Sequence, residues 1–156
     1  HIPLKEVHKH ITKKKIINQV KLIKQFYINE FNKDPKIAIT GLNPHCESNY
    51  KSSEEDKMIK PAIKYLIKNG YKVNGPFSAD TIFMKEQSKK YDVIIGMYHD
   101  QVLTPIKTLM GFDAINITLG LPFVRISPDH GPNTAMLGKN LSKPNSLIQA
   151  LKFLDK

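Results

Sequence analysis

YDVIIGMYHDQ, residues 91–101, sets the class of architecture. The run from Tyr91 to Met97 is short and rich in Val and Ile, and it follows a lysine-rich helical segment. That is the pattern of a buried strand. A strand ending in Gly-Met-Tyr-His-Asp delivers His99 and Asp100 to the carboxyl edge of a sheet, where open α/β sheets bind their ligands. Two other polar loops carry related chemistry: Gly41-Leu-Asn-Pro-His45 and Ser127-Pro-Asp-His-Gly131.

Towards the amino terminus, Ser78 or Asp80 is placed to cap a helix reaching Lys89, and Asn74-Gly-Pro76 reads as a turn after a strand edge at Tyr71–Val73. Ser52 or Ser53 followed by Glu54, Glu55 and Asp56 marks a helix start, with acidic residues at the positive end of the dipole. That helix runs to Asn69-Gly70. Lys36–Thr40 is a short strand entering the loop that ends at His45. Residues 4–31 carry apolar positions at helical spacing, with a break near Thr12 where a second helix starts. Towards the carboxyl terminus, Leu103–Met110 is helical, Ala114–Thr118 and Phe123–Ile126 are strands around a Gly120-Leu-Pro122 turn, and Ser142–Lys156 is an amphipathic helix. Strands alternating with helices predict an α/β fold with a mostly parallel sheet flanked by helices.

At 156 residues, 40% of them hydrophobic, the chain is long enough for a real core, and no apolar stretch is long enough to span a bilayer. It begins at His1, within a motif-like stretch, and is expected to be the later portion of a longer protein. One cysteine, Cys46, allows no internal disulfide and fits a reducing cytoplasm. The net charge of +10 invites a nucleic-acid reading. The lysines, however, scatter along helices and do not interleave with aromatics, so no stacking platform is present. No nucleic acid and no membrane are expected as partners; the positive field suits capture of an anionic substrate.

Of the six histidines, His8 and His10 lie two apart on a helix and face different sides. His1, His45, His99 and His130 each sit in loop context. Neutral imidazoles with open positions suit a catalytic divalent cation; the alternative is ordinary loop histidines bonded to nearby backbone. Asp100 and Asp80 are candidates for acid–base work or for fixing a histidine tautomer, with a helix cap as the alternative for Asp80. Asp129 could simply close its turn. Arg125 is the single arginine among 23 lysines. A position that needs the planar fork rather than an ammonium points to bidentate capture of carboxylate or phosphate. Lys107 and Asn116 could add donors to the same anion. Cys46 reads as a bystander. No GxGxxG after a strand, no P-loop and no GxSxG occur.

HIPLKEV (1–7), GLNPH (41–45), GPFSADTIF (75–83), YDVIIGMYHDQ (91–101) and INITLGLPFVRISPDHG (115–131) together resemble the 4-hydroxythreonine-4-phosphate dehydrogenase family of vitamin B6 synthesis, in order and over nearly the whole chain. The resemblance corresponds to the later half of that family, so residues 1–156 are expected to be the carboxy-terminal portion of a two-domain subunit. It implies a fold like the isocitrate and isopropylmalate dehydrogenases, with the active site in the cleft between two α/β domains of a homodimer. It implies a divalent metal (zinc, with magnesium or cobalt as alternatives) on His1, His45 and His99, shared between subunits. Substrate contacts would fall on Lys107, Asn116 and Arg125, with Asp80, Asp100 and Lys107 as the catalytic candidates. His130 and Gly131 would contact NAD or NADP. The implied reaction oxidises the C3 hydroxyl of 4-phosphohydroxy-L-threonine and then loses carbon dioxide, giving 3-amino-2-oxopropyl phosphate, in the cytoplasm. A sister dehydrogenase of a four-carbon sugar-acid phosphate, or a non-catalytic metal-binding or dimerisation domain, would use the same loops. Two stretches depart from the family pattern. NPHAGE is replaced by Asn43-Pro-His45-Cys46-Glu-Ser, and the family's DHGTA by Asp129-His-Gly-Pro-Asn-Thr-Ala135.

Overall fold

The computed structural model describes residues 1–46, 52–131 and 134–155. Residues 47–51, 132–133 and 156 lie outside that range, and with them the variant stretch beyond Cys46 and the last residue of the expected helix Ser142–Lys156. The chain forms two compact units, His1–Leu103 and Thr104–Lys156.

The first unit is a parallel three-stranded sheet with helices. Strand β1 (Ile37–Thr40) lies between β2 (Val73–Phe77) and β3 (Val93–Ile95), in the order β2-β1-β3. Every residue of β1 is buried, as a central strand of a parallel sheet requires. Ile37 and Ile39 join one core with Ile16 and Val20 of α2 (Lys13–Phe31) and Ala62, Ile63 and Leu66 of α3 (Lys60–Lys68). Thr40 points to the other face. The break at Thr12 is real: α1 (Val7–His10) ends, and the Thr12 Oγ1 accepts the Lys15 N–H at 3.2 Å to start α2. Ser53 does the same at the next helix start, its Oγ accepting the Asp56 N–H at 3.3 Å before a π-helical turn (Glu55–Ile59) that leads into α3.

Three local expectations fail. Asn74-Gly-Pro76 is not a turn but the middle of β2. Gly75 has φ +140°, and a Cβ there would lie 2.4 Å from the Ile39 carbonyl oxygen, so the glycine serves close strand approach. The single helix to Lys89 is two short helices, α4 (Ala79–Ile82) and α5 (Lys85–Ser88), parted by extended backbone at Met84. Asp80 sits in the first turn of α4, and Ser78 holds the cap position without a side-chain capping bond. Finally, helix α6 (His99–Met110) starts at His99, so His99 and Asp100 belong to its first turn and not to a preceding loop.

The second unit holds an antiparallel pair, β4 (Ile115–Thr118) and β5 (Arg125–Pro128), with α7 (Asn145–Leu154) packed on it. β5 starts two residues later than the hydrophobic run Phe123–Ile126 indicates: Phe123 and Val124 are exposed at 64% each and lie before the ladder. The parallel sheet is thus confined to the first unit. Ser146, at the start of α7, is buried; its Oγ donates to the Ala114 carbonyl at 2.5 Å and accepts the Asp129 N–H at 3.0 Å. Among the described residues no helix is long and apolar enough to cross a membrane.

Candidate functional site

Strands β1 and β3 are parallel and in register, Ile37 with Val93 and Ile39 with Ile95. Their carboxyl ends therefore release their loops at one edge of the sheet, and the two loops carry His45 and His99.

The loop after β1 is held by buried polar groups. Gly41 is buried, and a Cβ there would meet the Cys46 Sγ at 2.8 Å and the Asn43 carbonyl at 3.1 Å. Glu55 is only 1% exposed, and its Oε1 accepts the N–H groups of Leu42 at 2.8 Å and Asn43 at 2.7 Å. Asn43 Oδ1 in turn accepts the His45 N–H at 2.9 Å. His45 itself is exposed, in a pocket of about 390 Å³ lined also by Cys46, Lys60, Ser78 and Thr81. Burial pushes the Cys46 thiol above its ordinary pKa, so the free thiol stays protonated.

After β3 the chain turns through Met97 and Tyr98 into α6. His99 Nδ1 lies 2.7 Å from Asp100 Oδ1. An Nδ1–H given to that carboxylate leaves Nε2 as the open acceptor, the tautomer a metal ligand needs. The His1 and His99 rings stand 5.2 Å apart between centroids, tilted by 52°. Both line a pocket of about 420 Å³ with Leu4, Val7, Met97 and Tyr98. Two of the three expected imidazoles thus come together within one copy, and His45 lines a different pocket. Among the described residues no three His, Cys, Asp or Glu side chains converge as a metal-binding group. The pair His1–His99 offers two neutral nitrogen donors with open positions, which fits part of a divalent site and leaves the rest to a donor from elsewhere.

In the second unit the register places Thr118 opposite Arg125 and Asn116 opposite Ser127. With side chains alternating, Asn116, Thr118, Arg125 and Ser127 share one face of the ribbon. Arg125 Nη1 donates to Thr118 Oγ1 at 2.8 Å, which leaves most of the guanidinium fork exposed. Lys107, on α6, pairs with Asp129 at 3.0 Å. Asp129 is therefore more than a turn former: its carboxylate holds the lysine, and its N–H is anchored by Ser146. His130 Nδ1 lies 3.2 Å from the Gly131 carbonyl oxygen, and both residues are exposed. Asp80 is exposed on α4, whose neighbours Ser78 and Thr81 line the His45 pocket.

Two buried side chains escaped the sequence reading. Glu55 reads there as a dipole-favourable residue in a first helical turn, and nothing in its spacing announces a loop thirteen residues upstream. Gln101 belongs to the opening motif but has no evident role. Its only signal is a polar residue two positions past His99, and it is the one buried residue of α6.

Comparison with known proteins identifies a family. The family model described as "Pyridoxal phosphate biosynthetic protein PdxA" matches residues 1–154. A 4-hydroxythreonine-4-phosphate dehydrogenase of Sulfurihydrogenibium sp. (strain YO3AOP1) is 47% identical over 155 residues, covering 98% of this chain and 48% of the relative. One of Ruegeria sp. (strain TM1040) is 43% identical with the same coverage. The crystal structure of the 4-hydroxythreonine-4-phosphate dehydrogenase from Klebsiella pneumoniae superposes with a TM-score of 0.82 at 32% identity, covering 98% of this chain and 47% of that one. The chain spans about half the length of the relatives it matches.

Proposed function

The chain belongs to the family of pyridoxal phosphate biosynthetic protein PdxA, and we propose on that basis that the protein it forms oxidises 4-phosphohydroxy-L-threonine at C3 with a nicotinamide dinucleotide, NAD or NADP. The product then loses carbon dioxide to give 3-amino-2-oxopropyl phosphate. The observation that carries this reading is the paired imidazoles of His1 and His99, with the His99 ring fixed by Asp100 at the edge of the parallel sheet.

The oxidation takes a hydride from C3 to the nicotinamide and a proton from the C3 hydroxyl to a base. Loss of carbon dioxide from the resulting β-keto acid leaves an electron pair that a proton must then quench. Arg125 and Asn116 lie on one ribbon face and suit the anionic and polar ends of the substrate, with the fork of Arg125 free for two parallel bonds to phosphate or carboxylate. Lys107 adds a second cationic donor when its pairing with Asp129 yields to the substrate. Holding both ends fixes the carbinol carbon against the hydride acceptor. Asp100 is committed to His99, so its role is to orient that ring. Asp80 remains the group to take the hydroxyl proton, and the Lys107 ammonium the group to supply one after decarboxylation. His130 and Gly131, exposed after β5, are assigned to the dinucleotide.

His1 and His99 of one copy, with His45 of a second copy, would hold a divalent cation, zinc by preference for imidazole donors. Such a site matches the two separate histidine pockets of one chain and makes the working unit a homodimer. A cation there would supply Lewis acidity for both the oxidation and the decarboxylation. The test is NADH formation from 4-phosphohydroxy-L-threonine by the full-length protein, with and without a chelator, in wild type, His99→Ala and Arg125→Lys. Turnover should vanish with chelator and in His99→Ala, and the KM should rise about tenfold or more in Arg125→Lys as the bidentate contact is lost. No NADH from folded, metal-loaded protein would remove the assignment.

A further inference from the structure

Gln101 is 7% exposed, yet its amide makes three hydrogen bonds. Oε1 accepts from the Thr40 hydroxyl and from the Met97 N–H, both at 2.7 Å. Nε2 donates to the Gly41 carbonyl at 2.7 Å. The orientation of the amide follows from its partners. A backbone N–H can only donate, so Met97 must face the oxygen; a carbonyl can only accept, so Gly41 must face the nitrogen. Glutamate lacks the donor, asparagine lacks the reach, and leucine lacks both groups.

These three contacts join two loops. Gly41 opens the segment that Glu55 and Asn43 brace as far as His45. Met97 lies two residues before His99. We propose that Gln101 is a positioning residue that ties the loop carrying His45 to the turn carrying His99 and so sets the spacing of the two imidazole-bearing segments. The proposal rests on the reading that these histidines bind a cation. If two copies share each site by a two-fold axis, the spacing of the loops within one copy fixes ligand geometry in both sites at once. A slack Gln101 would then misplace a ligand twice per dimer.

The test uses the full-length protein and measures zinc or cobalt affinity by competition with a chromophoric chelator. Gln101→Leu should weaken the cation about 10- to 100-fold, the range for groups that support metal ligands from behind. Gln101→Glu keeps the acceptor for Thr40 and Met97 but sets a second carboxylate oxygen against the Gly41 carbonyl, so it too should weaken the cation. It also serves if Gln101→Leu does not fold. Val20→Ala, which empties a portion of the core at a fully buried position, is the control; its melting temperature should drop with affinity unchanged. If wild type binds the cation and both Gln101 variants bind it equally well while melting earlier, Gln101 is merely structural and the proposal is overturned. If wild type binds no cation, the metal reading itself fails and takes this inference with it.

Discussion

Removing the carboxylate of Glu55 should release the His45 loop without unfolding the sheet. In Glu55→Leu the volume is roughly kept, but two backbone donors, Leu42 N–H and Asn43 N–H, lose an acceptor that now sits at 2.8 and 2.7 Å. Leaving a buried donor unpaired costs about 1–3 kcal/mol. Leu42 and Asn43 are only partly buried and can recruit water to some extent, so about 1–2 kcal/mol each, or about 2–4 kcal/mol together, is the expected loss. Glu55→Gln keeps an oxygen in the same place and forfeits only the charge assistance. Charged acceptors are worth roughly twice neutral ones, so its cost should be about half as large. Native-state amide hydrogen exchange on the full-length protein reads this locally, which a global melt of a multidomain chain does not. Protection at Leu42 and Asn43 should fall by about 1–2 kcal/mol in Glu55→Gln and twice that in Glu55→Leu, while α2 and the amides of α3 beyond Ile63 keep theirs. Equal effects from the two variants, or a loss spread over the whole core, would mean that Glu55 contributes by filling space and not by accepting those two bonds.

Gly75→Ala should cost about 2–5 kcal/mol and lower the melting temperature, because φ is +140° and the new Cβ would press on the Ile39 carbonyl, which is backbone and cannot swing away. Ser146→Ala should cost about 1–3 kcal/mol in urea denaturation, since the Ala114 carbonyl and the Asp129 N–H lose their shared partner; preserved stability would mean that water replaces the hydroxyl. Asp92 has its pKa held below the usual carboxylate range by the Lys33 ammonium first and by the Lys36 N–H next. Its stabilisation is therefore complete above the unfolded value of about 3.9 and is lost as pH falls through the lower folded value. Asp92→Asn should cost about 1 kcal/mol at pH 7 and progressively less on acidification; a cost unchanged at pH 2 would contradict the linkage.

Much of this molecule is legible along the chain. The short strand before Gly41 and the helix starts at Thr12 and Ser53 appear where local chemistry puts them, because a central parallel strand needs continuous apolar residues and a helix start needs an oxygen for its first N–H groups; the run Tyr91–Met97 holds a strand too, but only Val93–Ile95, half-buried because it lies at the edge of the sheet. The single arginine among lysines stands out for the same kind of reason: a fork is a property of the residue, wherever the fold puts it. The alternation Ile-Asn-Ile-Thr already commits Asn116 and Thr118 to one face of a strand. Joining them to Arg125 requires the antiparallel register, which depends on where β5 begins, and the two apolar residues before it stay outside the ladder.

Long-range pairings are not visible in any local stretch. Asn74-Gly-Pro76 carries every local sign of a turn, and it is strand because Ile39 passes close enough to exclude a side chain. Glu55 and Gln101 look like ordinary surface residues of helices, and each is buried against the loop after β1, which brings backbone groups that need them from thirteen residues away for Glu55 and sixty for Gln101. Residue types and local spacing located most of the elements and named the chemistry available. Which imidazoles meet, His1 with His99 and not with His45, followed from packing alone, since a distance between residues far apart in the chain is a property of the folded sheet and not of any segment in it.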